Sequence, residues 1–496
     1  MENIKYFHNN KFYTFAALIH MQMLFNSVSF LFLFLPVVLL LYHGIDRFRF
    51  RGKDLTLNLL LVVFSLVFFC WGGFKVAVKT VPALISIVVW NYLLALLSQK
   101  WKPFLIIGVV GNLAFFFYYK IWNEFAKLID GLLSSNLTID KLVIPIGLSF
   151  ILFHGISYLL DIRNGKAKPN KNFAEFALYM LFFPKLAQGP IVKYYEFAPY
   201  FHNRKVGFED LVAGLERFIV GLAKKVLIAD VFALTVNRIF VGGGVDAPSL
   251  WIGIVLFSMQ LYLDFSGYSD MAIGIGKMFG FKIPENFNFP YSSTSVSEFW
   301  RRWHISLGAW FKEYLYIPLG GSRKGNVYLN LIIVFLAVGI WHGSSLLFLL
   351  WGLTHGFCVA MEKFLIKKGW FDKIPKLIRW GYTIFIVNII RLVYKVPDLD
   401  TLLQYLKCMF GMGGIQEELN FSWLYFLSNR ILLLSLISIV GMMVFGNTRV
   451  QNRLRQWDKE SVGFSIGKYV LLTGLFFLSV CAIMTSKYQP FLYFQF

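Results

Sequence analysis

Charge is scarce in this chain. Only 15% of its 496 residues are Asp, Glu, Lys or Arg, against about 25% in an ordinary soluble domain, and no stretch is left for a large water-facing domain. Cysteine is sparse as well: Cys70, Cys358, Cys408 and Cys481 stand far apart with no Cys-x-x-Cys spacing, which argues against a disulfide framework and a zinc site. No Gly-x-Ser-x-Gly elbow, His-Glu-x-x-His pair or Walker-type glycine loop occurs, so three common hydrolytic and nucleotide chemistries lack their residues. GIGKMFG at 274–280 has no strand before it and does not read as a dinucleotide fingerprint. No repeat of 20 to 50 residues is evident.

What is abundant is apolar. Hydrophobic residues make up 57% of the chain and aromatics 19%, and runs long enough to cross hydrocarbon, about 17 to 25 residues, recur throughout. They fall near 26–43, 55–72, 78–98, 103–120, 142–162, 173–190 and 210–240, then 250–280, 328–352, 346–362, 378–395, 421–445 and 466–486. The expectation is an all-α, polytopic membrane protein of ten to twelve segments, with one domain over 23–496 preceded by a leader, 1–22, whose role the sequence does not assign. That leader lacks the apolar centre and small-residue cleavage site of a secretory signal.

The net charge of +21 is gathered in tufts between the apolar runs, without a nucleic-acid recognition motif, and reads as membrane topology. Arg47, Arg49, Arg51 and Lys53 follow the first run; Lys100 and Lys102 follow the third. These tufts, with Arg163, Lys166, Lys168 and Lys171 and with Arg449, Arg453 and Arg455, are expected on the cytoplasmic side, leaving both termini outside.

Pro145, Pro184, Pro190, Pro284, Pro290 and Pro318 crowd the middle third, so straight helices are excluded there. Broken backbone at membrane depth must line protein or water, which predicts a polar cavity. The densest polar stretch runs from Asp264 to Arg323. Within it Ser295 and Glu298 have capping-box spacing and predict a helix from there to just before Pro318. On such a helix Trp300, His304, Leu307 and Phe311 share one face, turning His304 inward, while Arg301, Arg302 and Lys312 project elsewhere, suiting a helix at headgroup level or beside an anionic cofactor.

The second polar signal is GIWHGSS at 339–345, which puts His342 inside an apolar run from about Tyr328 to Gly352. Ionisable groups within a span are costly and usually functional, and a neutral imidazole can take a hydroxyl proton while a carbonyl is attacked. His342 is therefore the candidate general base, against the alternative of a histidine satisfied by a neighbouring helix. His304 could polarise such a carbonyl, hold a donor group or only pack. Ser344 and Ser345 read as helix-packing serines, since adjacent helical residues do not face one another, and His355 as a core residue. Asp264 and Asp270, six apart, would turn to different sides of a helix; each fits a structural network or the cavity wall.

PYSSTSVSEFWRRWHISLGAWFKEYLYIPLGG at 290–321 and GIWHG at 339–343 resemble the membrane-bound O-acyltransferase family. FFPKLAQGPI at 182–191, DFSGYSDMAIGIG at 264–276 and FLYFQF at 491–496 extend the resemblance to its alginate O-acetyltransferase membrane-subunit branch, over nearly all of the chain from Met23. Phe311-Lys312-Glu313 departs from that branch, where an Arg-Asp pair is common. The resemblance implies a ring of tilted helices around a funnel, with His342 deep at the thin centre and His304 on the cytoplasmic side. His342 and His304 are the catalytic candidates, Arg301, Arg302, Trp303, Trp341, Asp264 and Asp270 the candidate donor- or substrate-contacting residues, and no metal is expected. Acetyl from a cytoplasmic thioester such as acetyl-CoA, a donor substrate rather than a tightly bound cofactor, would pass outward to an extracytoplasmic acetyltransferase partner and an envelope polysaccharide, in a bacterial inner membrane. D-Alanyl transfer to a teichoic-acid-like polymer is the neighbouring alternative. A secondary transporter is the alternative from another class, though neither WRRWH nor WHG has a second copy.

Overall fold

The computed structural model describes residues 23–71, 74–133, 147–186, 188–241, 246–343, 345–413, 422–444 and 446–485; the leader 1–22, Pro145, Ser344 and the carboxyl-terminal FLYFQF lie outside them. Among the described residues the regular structure is helical: α1 (Leu35–Asp46), α2 (Lys53–Cys70), α3 (Phe74–Leu97), α4 (Phe104–Leu133), α5 (Leu148–Arg163), α6 (Phe173–Leu181), α7 (Phe183–Leu186), α8 (Tyr194–Phe197), α9 (Phe208–Ala223) and α10 (Asp230–Val241). The second half holds α11 (Ala247–Met278), α12 (Val296–Arg302), α13 (Ile305–Phe311), α14 (Val327–His342), α15 (Leu346–Lys367), α16 (Lys376–Arg391), α17 (Leu399–Met409), α18 (Asn429–Met443), α19 (Thr448–Glu460) and α20 (Val462–Thr485).

Among the described residues six helices are long and apolar enough to cross a membrane, seven if α18 and α19, bent by 95°, form one broken span; three shorter apolar helical stretches, Phe30–Asp46, Phe104–Lys120 within α4 and Val327–His342, fall below that length. The expected ten to twelve segments thus exceed the full-length crossings. One reason is visible at 173–190, where Pro184 cannot continue a helix and the run divides into α6 and α7, almost wholly buried in protein. Elsewhere apolar side chains such as Leu40, Val470 and Phe477 stand 74%, 68% and 66% exposed, a surface that only lipid would cover favourably.

The hub is α11. Of its apolar span 83% is buried, against 11% for the outer helix α20. α9 lies along α11 at backbone contact: a methyl added to Gly214 or Gly221 would come within 2.7 and 2.5 Å of the Gly274 and Gly267 carbonyl oxygens. Small residues bring helices this close when lipid supplies no hydrophobic drive between them. A π-helical turn, Lys224–Ala229, follows α9 and carries Lys225 inward to pair with Asp264 at 2.6 Å and Asp230 at 2.7 Å.

The middle third is broken, as its prolines require. Between α11 and α14 the chain makes a loop, a 3-10 turn at Pro290–Ser292, two seven-residue helices and a π-helical turn at Lys312–Tyr316. These short pieces pack against α15 and α16 and, through Tyr291 on Ser258 and His304 on Phe265, against α11, and form the site.

Candidate active site

Ser295 caps α12 by accepting the Glu298 backbone N–H at 2.9 Å. The Glu298 carboxylate returns to the Thr294 N–H, also at 2.9 Å, one residue short of a reciprocal capping box. The helix expected to reach Pro318 ends at Arg302: Trp303 is extended, His304 has φ +46°, and α13 starts anew at Ile305. Trp300 and His304 consequently do not share a face with Leu307 and Phe311. Trp300 packs its ring against Phe335, Trp351 and His355, whereas His304 packs against Phe265 and Trp341.

A left-handed backbone at a non-glycine residue costs roughly 1–2 kcal/mol, and Asn286 offsets it. Its carboxamide oxygen accepts the Ser306 N–H at 3.2 Å and the Ser306 hydroxyl at 2.8 Å, and its backbone oxygen accepts the Ile305 N–H at 2.9 Å. A backbone N–H can only donate, so the atom facing it is the amide oxygen. The same oxygen lies 3.1 Å from His304 Nδ1, which must then carry the proton. Burial holds this imidazole down to about 3, so His304 is neutral and its Nε2 is an acceptor. Of the roles open to it, accepting a hydrogen bond from a donor group fits this tautomer; polarising a carbonyl does not.

His342 is the last residue of α14. The apolar run around it is a hairpin, not one helix: Gly343 is extended and α15 begins at Leu346 with Ser345 at its N-cap. Ser345 therefore does not sit on the His342 helix, which corrects the premise on which it was set aside. The glycines bring α14 and α15 together, for a methyl on Gly339 would meet the Phe348 carbonyl oxygen at 2.4 Å and one on Gly352 the Phe335 carbonyl oxygen at 2.5 Å. Lys120 on α4 donates to the Trp341 carbonyl, so a cation satisfies an orphan acceptor at the negative end of α14.

The His342 ring packs 4.9 Å from Trp351 and 5.9 Å from Tyr394, centroid to centroid. It lines a cavity of about 20 Å³, room for roughly one water, together with Trp303, His355, Arg391 and Tyr394. His355, read from sequence as core packing, is in that wall, its Nδ1 3.0 Å from the Trp351 carbonyl. One face of α15 presents Trp351, His355 and Glu362 at helical spacing. Glu362 in turn accepts the Val296 and Ser297 N–H groups at 2.6 and 2.8 Å, pinning α12 by its positive end.

The fold thus joins the two motifs: the Trp341 ring lies 6.2 Å from that of His304, and Trp303 shares the His342 cavity. His304 packs against Trp341 and does not line the cavity. Arg301 is exposed, and Arg302 is tied to Glu298 at 2.8 Å. Asp264 pairs with Lys225, and Asp270 with Arg217 at 2.9 Å and Lys224 at 2.6 Å; neither is in the cavity wall. Asn286, Lys120 and Arg391 were missed. For Lys120 and Arg391 the signal was present, since both lie in apolar runs where an ionisable group marks function; for Asn286, within a loop, there was none.

The profile of the membrane-bound O-acyltransferase family matches residues 86–394, a span that includes both histidines and Arg391. A probable alginate O-acetylase AlgI of Pseudomonas putida is 34% identical over 96% of this chain and all of its own length. A peptidoglycan O-acetyltransferase of Helicobacter pylori is 35% identical over 79% of this chain and 81% of its own. A teichoic acid D-alanyltransferase of Bacillus subtilis is 26% identical over 71% of this chain and 90% of its own. A multi-pass helical architecture, two buried histidines joined through Trp341 and full-length similarity to such enzymes lead to one conclusion: the chain belongs to the membrane-bound O-acyltransferase family and is an O-acyltransferase.

Proposed function

We propose that the chain moves an acetyl group from a cytoplasmic thioester, acetyl-CoA, to a hydroxyl that serves O-acetylation of an envelope or exported polysaccharide, through a ring of helices that thins to a funnel around His342. The observation that carries this reading is the buried imidazole of His342 at the end of α14, in the wall of a cavity. Acetyl is favoured over D-alanyl because the relatives named for O-acetylation are 34 and 35% identical and the D-alanyltransferase 26%. Acceptance by an extracytoplasmic partner protein, and a bacterial inner membrane as the location, complete the reading.

In the reaction, the acceptor hydroxyl oxygen forms a bond to the thioester carbonyl carbon while His342 takes the hydroxyl proton. The carbonyl π pair moves onto oxygen, then returns to reform C=O as the carbon–sulfur bond breaks. The leaving thiolate takes the proton back from the imidazolium, giving an ester and a free thiol. Burial keeps water, the competing acceptor, away from the acyl group.

Transfer of radiolabelled acetyl from acetyl-CoA, in membranes of cells that lack the chromosomal copy and are complemented in trans, tests this. Wild type is expected to label the polysaccharide fraction, and His342→Ala at equal abundance to lose at least about 100-fold. Full activity of His342→Ala would remove the base from the mechanism; no transfer by wild type would remove acetyl-CoA as donor.

A further inference from the structure

Resting on that reading, we propose that the Arg391 guanidinium is the fixed positive charge that holds the oxyanion formed when the acyl carbonyl is attacked beside His342. Arg391 is the last residue of α16, within an apolar span, and is only 4% exposed. Among the described residues no carboxylate forms an ion pair with it; its partners are aromatic. Nη1 donates to the Tyr291 hydroxyl oxygen, which spends its own proton on the Ser258 carbonyl at 2.7 Å. The guanidinium carbon lies 4.7 Å from the Trp303 ring centroid, and 5.3 and 5.5 Å from those of Tyr291 and Phe299.

Ring faces stabilise a guanidinium through its plane, and the Tyr291 bond uses one of its five N–H donors. A buried charge without an opposite partner costs several kcal/mol. An anion that appears only in the transition state would meet this donor already aimed, with no reorganisation. Arg391 lines the same cavity as His342, and the 3-10 turn that follows it, Leu392–Lys395, backs the base: Tyr394, three residues on, packs against the His342 ring. Trp303, beside His304, lines the same cavity. His342 takes the hydroxyl proton as the carbonyl π pair moves onto oxygen; Arg391 donates hydrogen bonds to that oxygen until the C=O reforms and the thiolate leaves, and ends the cycle unchanged.

The test uses the same membranes and radiolabelled acetyl-CoA, with kcat and KM measured for wild type, His342→Ala, Arg391→Gln, Arg391→Lys and Tyr291→Phe. Expected is a fall in kcat of about 100- to 1,000-fold in Arg391→Gln with KM for acetyl-CoA unchanged. Arg391→Lys, which keeps charge without the planar fork, should lose less. Tyr291→Phe, which keeps the stacking but removes the aiming bond, should lower kcat about tenfold. If Arg391→Gln fails to accumulate, the last two variants decide by the same criterion. Turnover near that of wild type in the arginine variants overturns the proposal, as does a raised KM at constant kcat, which would make Arg391 a ground-state anchor for an anionic group. An inactive wild type would instead remove acetyl-CoA as the donor, and a fully active His342→Ala would remove the base; both outcomes fall on the proposed function and are distinct from those that read Arg391.

Discussion

Replacing Gly339 with alanine removes no chemical group, yet it should disable the enzyme. A Cβ at this position would stand 2.4 Å from the Phe348 carbonyl oxygen and 3.4 Å from the Gly352 Cα; the nearer contact is with backbone of the facing helix and cannot rotate away. Ordinary van der Waals contact needs α14 to withdraw from α15 by about 1 Å, and displacements of that size cost on the order of 100-fold in rate when they separate reacting groups. His342 is three residues, one helical turn, beyond Gly339, so it moves with the helix, whereas Trp351 and His355 stay on α15. The expected outcome is a fall in kcat of about 100-fold, equivalent to about 2.7 kcal/mol, together with about 1–3 kcal/mol of overpacking strain. The assay is acetyl transfer alongside thermal unfolding in detergent, with Gly381→Ala as control. Gly381 on α16 has nothing within 4 Å of an added methyl, and alanine is favoured there by roughly 0.5–1 kcal/mol of helix propensity. Wild-type turnover in Gly339→Ala would refute the argument that α14–α15 contact sets the position of His342.

Three further outcomes follow from the same geometry. Asn286→Ala strips the common acceptor from His304 Nδ1, the Ser306 N–H and the Ser306 hydroxyl; it should cost about 1–3 kcal/mol in unfolding measurements and match His304→Ala in acetyl transfer. Asp264→Ala removes one of the two carboxylates paired with Lys225 and should lower stability by about 3–5 kcal/mol, while the triple change Lys225→Met, Asp230→Asn and Asp264→Leu, which leaves no charge of the triad behind, should recover most of the loss, read as thermal midpoints in detergent. Glu313 occupies the position where the family commonly has aspartate, and it joins Lys166 and Lys193, each at 2.5 Å. Burial opposes its ionisation, but the two lysines prevail and hold it below the ordinary carboxylate value. Its stabilising effect is then complete above about pH 4.3 and lost as pH falls through the lower folded value. The difference in thermal midpoint between wild type and Glu313→Gln should be constant at neutral pH and vanish in acid.

The membrane character, the all-helical class and the family were legible in the sequence because each depends on composition or on residues near one another in the chain. Apolar run length, basic tufts, the Ser295 cap and the motifs around His304 and His342 are local signals, and local signals survive without knowledge of packing. The break at His304 was not legible. Helical spacing carried the stripe from Trp300 to Phe311 straight through it, whereas Asn286, eighteen residues upstream, supplies the hydrogen bonds that hold the left-handed turn.

The site itself belongs to tertiary structure. Lys120 reaches Trp341 across 221 residues, and Arg391 reaches Tyr291 across 100; no period or propensity encodes such pairs. The tautomer of His304 follows from which atom of Asn286 faces the Ser306 amide, a choice made only when the loop is folded against α13. By itself the sequence determined which groups are costly to bury. The packing of α11, α12, α14, α15 and α16 decided which of those groups share one cavity, because burial fixes a charge beside whatever the neighbouring helices present to it.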